Sequence, residues 1–296
     1  MTKPLNPKIE RLVHISRTKP LIPDEYVPWE DDPTSAPFFM PEKLTSLEGL
    51  PIYDQLTPEQ KRELGRHEVA QVMYSYGWSE GLACLFFNRY LLTLTPDNIE
   101  YSYLIQMLIE EFRHQDMFAK SVKRINGKPI LPSFLHNYIG NLAPRYMAPS
   151  LVFISVLAVE MITDIYGKML RKSPEVYSVI RKVSELHHIE EGRHIYFTKM
   201  FLERYTAKAG FFKRTIYSLA VMLNVYFMRT LYVKKEIYER IGLPNPEQHY
   251  QLAKKHFKVK FAEMCLGETI EFVKSFNGFN IITQPLWKKV LGVKKF

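Results

Sequence analysis

Two short segments, LIEEFRHQ at 108–115 and HHIEEGRH at 187–194, decide the fold. Each contains a glutamate followed three residues later by a histidine: Glu111 and His114 in the first segment, Glu191 and His194 in the second. Residues three apart lie on one face of a helix, so each pair can bind one ion from the same side. A single Glu-x-x-His motif is usually a solvated pair, but two copies in one chain indicate a shared site.

Two further glutamates, Glu80 and Glu160, lie in segments that are otherwise apolar. A buried carboxylate is costly unless it has a partner or binds a metal. Glu80 precedes Glu111 by 31 positions, and Glu160 precedes Glu191 by the same 31 positions. Two Glu-x-x-His motifs with one extra glutamate from each of two other helices are typical of the di-metal carboxylate proteins of the ferritin-like bundle.

The equal spacing requires each half of the chain to fold back. A straight helix of 31 residues would separate its two carboxylates by roughly 46 Å, so a turn must lie near the midpoint. Thr95-Pro96-Asp97 and Ser173-Pro174-Glu175 lie at these midpoints, and each reads as an N-cap, a proline at the first helical position and an acidic residue. The sequence therefore predicts two helical hairpins, with helix starts at these two tripeptides.

Helical phase indicates the roles of three further residues near the predicted ligands. His187 lies within about 20° of His194 and is predicted as a third nitrogen donor, with a hydrogen-bonded core histidine as the alternative. His188 falls on the other side of Glu191, at the surface or beside the ligands. Asp164 either accepts the second ring N–H of a ligating histidine or lies on the helix surface.

Glu110 and Glu190, the first acids of the two Glu-Glu pairs, lie about 100° from the ligand face. We expect them to be solvated or paired with a nearby arginine.

Composition limits the class of protein. The 296 residues are 46% apolar and contain two cysteines, Cys84 and Cys265, too few for a disulfide framework or a cysteine-based zinc site. The longest apolar runs, 150–159 and 216–228, are shorter than a membrane span. We therefore expect a cytoplasmic protein with no membrane partner. A net charge of +9 suits binding to an acidic carrier protein, an anionic substrate or an acidic electron donor. The sequence has no recognised nucleic-acid-binding motif, which argues against a nucleic-acid partner.

The predicted fold is all-α: a ferritin-like four-helix bundle with a di-metal centre in one domain, 1–296. Nine of the 19 prolines precede residue 56, so 1–56 is predicted as an extended, irregular arm. The bundle is predicted in 57–205, and additional helices with a basic tail in 206–296. The predicted helices are 57–93, with a break near Gly77, 97–126, 149–171, 174–205, 211–241 and 247–276, with an irregular crossover between the second and third.

The donor set favours iron or manganese, because it offers carboxylates and imidazoles and no thiolate. Four glutamates balance two divalent ions, and a buried pair of ferrous ions is suited to reducing dioxygen by two electrons. The sequence thus predicts an oxygen-dependent oxidoreductase supplied with electrons by an external donor or reductase.

The full ligand series resembles that of the AurF-like di-iron N-oxygenases, the p-aminobenzoate N-oxygenase family. The extra histidine four residues before the last glutamate distinguishes this family from other ferritin-like oxidases. The resemblance implies a monooxygenase of natural-product biosynthesis that converts a primary amine, free or tethered to a carrier protein, into a hydroxylamine or a more oxidised nitroso or nitro product. It also implies that two irons are bound by Glu80, Glu111, His114, Glu160, His187, Glu191 and His194.

Other functions remain open. The Glu-Glu-x-Arg-His segments also resemble those of soluble acyl-carrier-protein desaturases and related fatty-acid oxidases, although His187 argues against that assignment. An iron-storage ferroxidase and a non-enzymatic basic helical binding protein are further alternatives. A homodimer is compatible with all of these.

A substrate pocket is predicted one helical turn either side of the ligand glutamates, although core packing is the alternative for each residue. The predicted lining residues are Met73, Tyr76, Phe87, Met107 and Phe153. Arg229 interrupts an apolar helix face, and we predict that it pairs with a substrate carboxylate, lies at a helix end or forms a buried salt bridge.

Overall fold

The computed structural model describes residues 7–296, which are mostly helical. The first helices are α1 (Pro7–Thr18), α2 (Pro23–Tyr26) and α3 (Pro51–Gln55), with short 3₁₀ helices at Pro33–Ser35 and Glu42–Leu44. The middle helices are α4 (Pro58–Leu91), α5 (Ile99–Arg124), α6 (Phe134–Tyr146), α7 (Pro149–Arg171) and α8 (Ser178–Thr206). The last are α9 (Phe211–Tyr232), α10 (Lys235–Arg240), α11 (Pro246–Cys265), α12 (Gly267–Ser275) and α13 (Thr283–Leu291). Between residues 7 and 296 there is no β-strand, only an isolated bridge between Phe38 and Val176, so the all-α prediction is confirmed.

Four long helices form the bundle. The hairpin of α4 and α5 packs against the hairpin of α7 and α8, with α5 against α8 and α4 against α7. Helix α9 covers α7 and α4, α6 lies on α4, and α1 lies on α5. The buried apolar side chains form one continuous core from α1 to α13. Because the predicted single domain 1–296 extends beyond the described residues, it stays a prediction.

Helix α4 is continuous, which corrects the predicted break near Gly77. Its start is well defined, because the Thr57 hydroxyl accepts from Gln60 N–H and the Gln60 side chain accepts from Thr57 N–H, with Pro58 at the first helical position. One interior glycine costs a helix roughly 1 kcal/mol, which the burial of a 34-residue helix easily offsets.

Both fold-back points lie where the spacing predicts, but the helices begin later. In the first hairpin Asn98 is the N-cap and its side chain accepts from Glu100 N–H, whereas Thr95-Pro96-Asp97 forms the preceding turn. In the second, residues 175–177 are held extended by backbone hydrogen bonds with Phe38, so the helix starts only at Ser178. A tertiary contact thus overrides the local helix-start signal at Ser173-Pro174-Glu175.

The N-terminal arm is more helical than predicted. In α1 the apolar residues Ile9, Leu12 and Val13 are buried, and Pro7 occupies the helix start, where proline is tolerated. Farther along the arm, Ser46 anchors the chain: its backbone N–H donates to Glu68 of α4 at 2.9 Å, and its hydroxyl contacts both Glu68 and Tyr238 of α10.

The C-terminal helices are also divided differently. The predicted helix 211–241 is α9 followed by α10, and the predicted helix 247–276 is α11 followed by α12. The predicted basic tail contains α13, whose Trp287 is fully buried and donates to Ser218 of α9 at 3.1 Å. The indole ring thus packs this segment onto α9.

Two helical stretches, Pro149–Arg171 and Phe211–Arg240, are long and apolar enough to cross a membrane. Their most apolar windows are 78% and 56% buried inside the protein, as in the core helices of many soluble proteins. This is weak evidence for a membrane span, and the cytoplasmic location stays a prediction.

The buried carboxyl of Glu68 makes the stability of the fold depend on pH. Burial raises its pKa from 4.5 to about 7. Between these values the folded state keeps a proton that the unfolded chain has lost, so stability falls as the pH rises. The full effect is roughly 3 kcal/mol. We therefore expect Glu68→Gln, measured by denaturant unfolding, to be more favourable relative to wild type at pH 8 than at pH 5.

Glu59→Gln, on an exposed position of the same helix, is the matched control. Its stability difference from wild type should be the same at both pH values. An equally constant difference for Glu68→Gln would contradict the predicted role of Glu68.

Candidate metal centre

The four bundle helices each contribute to one cluster of acids and histidines. The structure brings all seven predicted ligands together in two adjoining groups of potential metal-binding atoms: Glu80, His114, His187 and Glu191 in one, and Glu111, Glu160 and His194 in the other. Within each group the atoms lie within 4.8 Å of one another. Six of the seven residues are buried, and the Glu80 side chain is only 11% exposed.

Glu111 and Glu191 lie between the two groups. Glu191 Oε1 is 3.6 Å from His114 Nδ1 and 3.3 Å from His194 Nδ1. Glu111 approaches the same two nitrogens, with distances of 3.8 Å and 3.3 Å from its two oxygens. These two carboxylates, together with Glu80 and Glu160, would hold bound metal ions.

His187 makes the two groups unequal. Its Nε2 donates to Glu80 Oε1 at 3.0 Å and lies 3.2 Å from Glu191 Oε1. The ring is held between Tyr76, which stacks on it with centroids 5.8 Å apart, and Phe118 at 5.1 Å. The Glu80 side of the cluster therefore has two imidazoles, and the Glu160 side has one.

Buried atoms without partners show that the cluster fits a metal. Seven atoms of the cluster find no hydrogen-bond partner among residues 7–296: Glu80 Oε2, Glu111 Oε2, both carboxylate oxygens of Glu160, Glu191 Oε2, and Nδ1 of His114 and His194. Buried polar atoms are nearly always paired, and an unpaired carboxylate is especially costly. Because these oxygens and nitrogens converge on one space, bound cations would satisfy them together.

The pKa values of the cluster residues show that the buried carboxylates retain protons on themselves and on the neighbouring histidines. Burial, and then the charge of a neighbouring glutamate, raise the pKa of Glu80 and Glu160 well above the usual range. For His114 and His187, burial lowers the pKa, but nearby carboxylates outweigh it and raise both to about 9. Bound protons therefore compensate the negative charge of the four carboxylates. Two divalent ions would otherwise have this role.

Glu110 and Glu190 orient the histidines across the bundle. His114 Nε2 on α5 donates to Glu190 on α8 at 2.9 Å, and His194 Nε2 on α8 donates to Glu110 on α5 at 2.8 Å. Each ring thus turns Nδ1 toward the cluster. Such a partner fixes the tautomer and orientation of a metal-binding histidine and makes it a stronger ligand.

Arginines complete this arrangement. Arg193 donates to Glu110 at 2.7 Å and to Glu190 at 3.3 Å, and Arg113 donates to Glu190 at 3.3 Å. Burial raises the pKa of Glu110, but His194 and Arg193 outweigh it and lower the pKa to about 2. Glu110 and Glu190 were predicted to be either solvated or paired with a nearby arginine. Both pair with arginine, and neither is solvated, because both side chains are buried. The histidine bonds were missed, although the repeat of Glu-Glu-x-Arg-His in both halves signals them.

Asp164 has a different partner from the one first considered. Its carboxylate accepts from His188 Nδ1 and pairs with Lys168 at 2.8 Å. It is buried but contacts no ring of the seven-residue cluster. Its helix turns the side chain away from the cluster, and His188, which is partly buried, occupies that side.

A cavity of about 410 Å³ opens beside the cluster. Its inner end is formed by Glu80, Glu111, Glu160 and Glu191, and its walls come from α4, α6, α7 and α9. The walls are almost entirely apolar. Much of this lining was not foreseen, because α6 lies in the segment predicted as an irregular crossover.

The predicted pocket residues do not line this cavity. All five apolar predictions are buried in the core: Met73, Tyr76, Phe87, Met107 and Phe153. They lie on the ligand faces of their helices, which point to the bundle axis, whereas the cavity lies to one side of that axis. The lining of α4 is accordingly shifted in phase, to positions such as Ser79 and Ala83.

Arg229 does not line the cavity either. Its side chain is buried, donates to Val290 O at 3.3 Å and lies over the Tyr226 ring. It joins α9 to the last turn of α13, so the predicted pairing with a substrate carboxylate is wrong for this cavity.

Comparison with known families agrees with the cluster. The family model described as P-aminobenzoate N-oxygenase AurF matches residues 6–276. The chain belongs to the AurF family. This family has a ferritin-like helical fold, so the predicted fold and family are both confirmed. It is a di-iron family, and the buried clusters of this member could bind metal.

Two mycobacterial proteins are similar to part of this AurF-family chain. The uncharacterized proteins Mb0909 of Mycobacterium bovis and Rv0885 of Mycobacterium tuberculosis are each 29% identical to it over 158 residues. The match covers 52% of this chain and 46% of each relative, so the chain spans about half the length of the curated relatives it matches.

Removing the partner of a histidine should weaken metal binding. We expect Glu190→Gln to lower metal affinity by roughly tenfold to a hundredfold, because the His114 ring loses its charged acceptor. The measurement is the metal retained against a competing chelator. Glu185→Gln is the control, since Glu185 lies on the same helix and pairs with Lys182 near the surface. Equal retention by the two variants would refute the assigned role of Glu190.

His187 is expected to matter for one metal position more than for the other. In His187→Ala the Glu80 group loses one of its four donors, whereas the Glu160 group keeps all three. Metal content should therefore fall from two ions toward one per chain, as measured by elemental analysis. His188→Ala, which removes the neighbouring ring bonded to Asp164, should leave the content unchanged. If both variants retain two ions, His187 is not a ligand.

Proposed function

We propose that this protein is a non-haem di-iron monooxygenase that uses dioxygen and external electrons to convert a primary amine into a hydroxylamine or a more oxidised nitroso or nitro product. The observation that carries this proposal is the set of seven converging residues at the closed end of a cavity, in a member of the AurF family. Glu80, Glu111, His114, Glu160, His187, Glu191 and His194 are the proposed ligands.

Two iron ions are the proposed cofactor, with manganese as the alternative metal. The donors are carboxylate oxygens and imidazole nitrogens, which suit either metal. Both cysteines are buried, and neither belongs to the cluster. When bound, the metal pair would supply the redox chemistry that activates dioxygen.

The residues around the metals have positioning roles in this proposal. Glu110 and Glu190 hold the His194 and His114 rings with Nδ1 toward the metals, and Arg193 bridges both of these glutamates. Tyr76 and Phe118 limit the movement of His187. The site is thereby organised before any metal or substrate binds.

The cavity determines the form in which an amine would bind. Its apolar walls exclude water and disfavour a charged ammonium group, so the neutral amine is the expected reactant. The four carboxylates at the inner end are the polar groups toward which the amine nitrogen would be directed. Burying the reacting nitrogen there also protects oxidised products from water.

The remaining parts of the proposal concern partners. The amine is a small molecule, free or tethered to a carrier protein, and the electrons come from an external donor or reductase. A place in natural-product biosynthesis, a cytoplasmic location and a homodimer are compatible with this function.

A fatty-acid oxidase or acyl-carrier-protein desaturase is the second candidate, because the apolar cavity would also accept an acyl chain. Membership of the AurF family favours the amine.

Metal analysis followed by product analysis tests the proposed function. Purified protein grown with iron should contain two iron ions per chain, and chelation should lower its melting temperature, because the cluster then has unpaired carboxylates. With dioxygen and a chemical reductant, an arylamine panel should give hydroxylamines detectable by mass spectrometry. An acyl-carrier panel should return unchanged.

Glu160→Ala is the negative control, because it removes a proposed ligand while leaving the cavity open. Desaturated acyl products would support the second candidate instead. A wild-type protein that binds no metal under any growth condition would refute both.

A further inference from the structure

Between the carboxylates at its inner end and its mouth, the cavity has an almost entirely apolar wall. It reaches the surface between α6 and α9, where Ile139, Ile216 and Leu223 line it and are 38%, 50% and 47% exposed. Deeper in, the walls include Leu151, Val156 and other aliphatic side chains of α7. A molecule entering the cavity therefore meets apolar surface throughout until it reaches the carboxylates.

The wall has no positive charge to offer a ligand. No lysine or arginine is among its lining residues in the described part of the chain. The lining histidine, His136, is held by Ser133 and by Thr230 at 2.6 Å and 3.0 Å. Burial, and then the charge of Lys234, lower its pKa, so the ring is neutral at pH 7.

Other polar groups of the wall already have partners within the protein. Trp78 Nε1 donates to Asn137 at 3.2 Å. The amide nitrogen of Asn224 donates to Ser155 at 2.9 Å, and the Ser155 hydroxyl donates to Leu151 O at 2.9 Å. Binding a carboxylate here would require breaking these bonds without gaining a charged partner.

An anionic ligand would therefore be unfavourable in this cavity. A carboxylate on the non-reacting part of an amine would lose its hydration against the apolar wall and would find no lysine or arginine there. The family is described by p-aminobenzoate, which carries such a carboxylate. The cavity lining of this member contains no lysine or arginine that could pair with that carboxylate.

We propose that the cavity binds amines whose non-reacting part is uncharged and apolar, and that it discriminates against amines bearing a carboxylate. This inference rests on the proposed function in taking the ligand to be an amine. The carboxylate end of the cavity receives the amino group, and the aliphatic wall of α6, α7 and α9 receives the remainder of the molecule.

Calorimetric titration of the iron-loaded protein without dioxygen tests this inference, because ligands bind but are not consumed. The probes are 4-aminobenzoate, its methyl ester, 4-methylaniline and 4-butylaniline. The neutral ester should bind at least tenfold more tightly than the anion. Compared with 4-methylaniline, 4-butylaniline should gain about threefold to fourfold in affinity for each added methylene group. Equal or tighter binding of 4-aminobenzoate would overturn the inference.

Two leucines of nearly equal exposure provide a matched pair of variants. Leu223, 47% exposed, lines the mouth, whereas Leu252, 48% exposed, lies on α11 and does not line the cavity. Leu223→Arg should reduce the preference for the ester over 4-aminobenzoate by at least threefold, and Leu252→Arg should leave it unchanged. The same preference in both variants would mean that this mouth does not select the ligand.

Binding and turnover separate this inference from the proposed function. A protein that binds neutral arylamines and does not oxidise them would contradict the N-oxygenase function and support the selectivity of the cavity. A protein that oxidises arylamines but binds the anion as tightly as the ester would do the opposite.

Discussion

The burial of four carboxylates at one point of a helical bundle is the constraint on which the rest of this structure depends. Without compensation these charges would repel one another and lose their hydration. The protein supplies three imidazoles within the cluster and a second layer of two glutamates and two arginines around it. Because His114 bonds to Glu190 and His194 to Glu110, each hairpin supplies the acceptor for the other. The same bonds that orient the rings therefore fix the register between the hairpins.

The two halves of the site are built alike but are not equivalent. Both have the spacing of 31 residues and the Glu-Glu-x-Arg-His segment. His187 breaks this symmetry, because the corresponding position in the first half, four residues before Glu111, is Met107, a buried apolar side chain. One side of the cluster is thus richer in nitrogen donors. Tyr76 and Phe118 pack around the His187 ring.

Much of the bundle could be predicted from the sequence because its determinants are local or periodic. Helix geometry alone indicates that the two residues of each Glu-x-x-His motif share a helix face. It also indicates that a turn must lie between Glu80 and Glu111 and between Glu160 and Glu191. Errors arose where distant segments decide the outcome. The late start of α8 depends on a bridge to Phe38, and the burial of Glu110 depends on a histidine 84 residues away. The contact with Phe38 leaves no pattern near Ser178, and the histidine partner of Glu110 is indicated only when the two Glu-Glu-x-Arg-His segments are compared.

The pocket was harder to predict for a related reason. Helical phase correctly indicates which side chains share a face with a ligand, but that face points to the bundle axis and is filled by core residues such as Phe153, which packs 3.8 Å from the Phe201 ring centroid. The cavity instead lies beside the bundle, under α6 and α9, which contribute no proposed ligand. Helices α4 and α7 thus contribute both proposed ligands and cavity wall, whereas α6 and α9 contribute cavity wall alone. Substitutions in α6 and α9 can change the shape and polarity of the cavity without disturbing the carboxylates or the bonds that orient their histidines. Within residues 7–296, the proposed metal site and the cavity share the four glutamates at the inner end of the cavity.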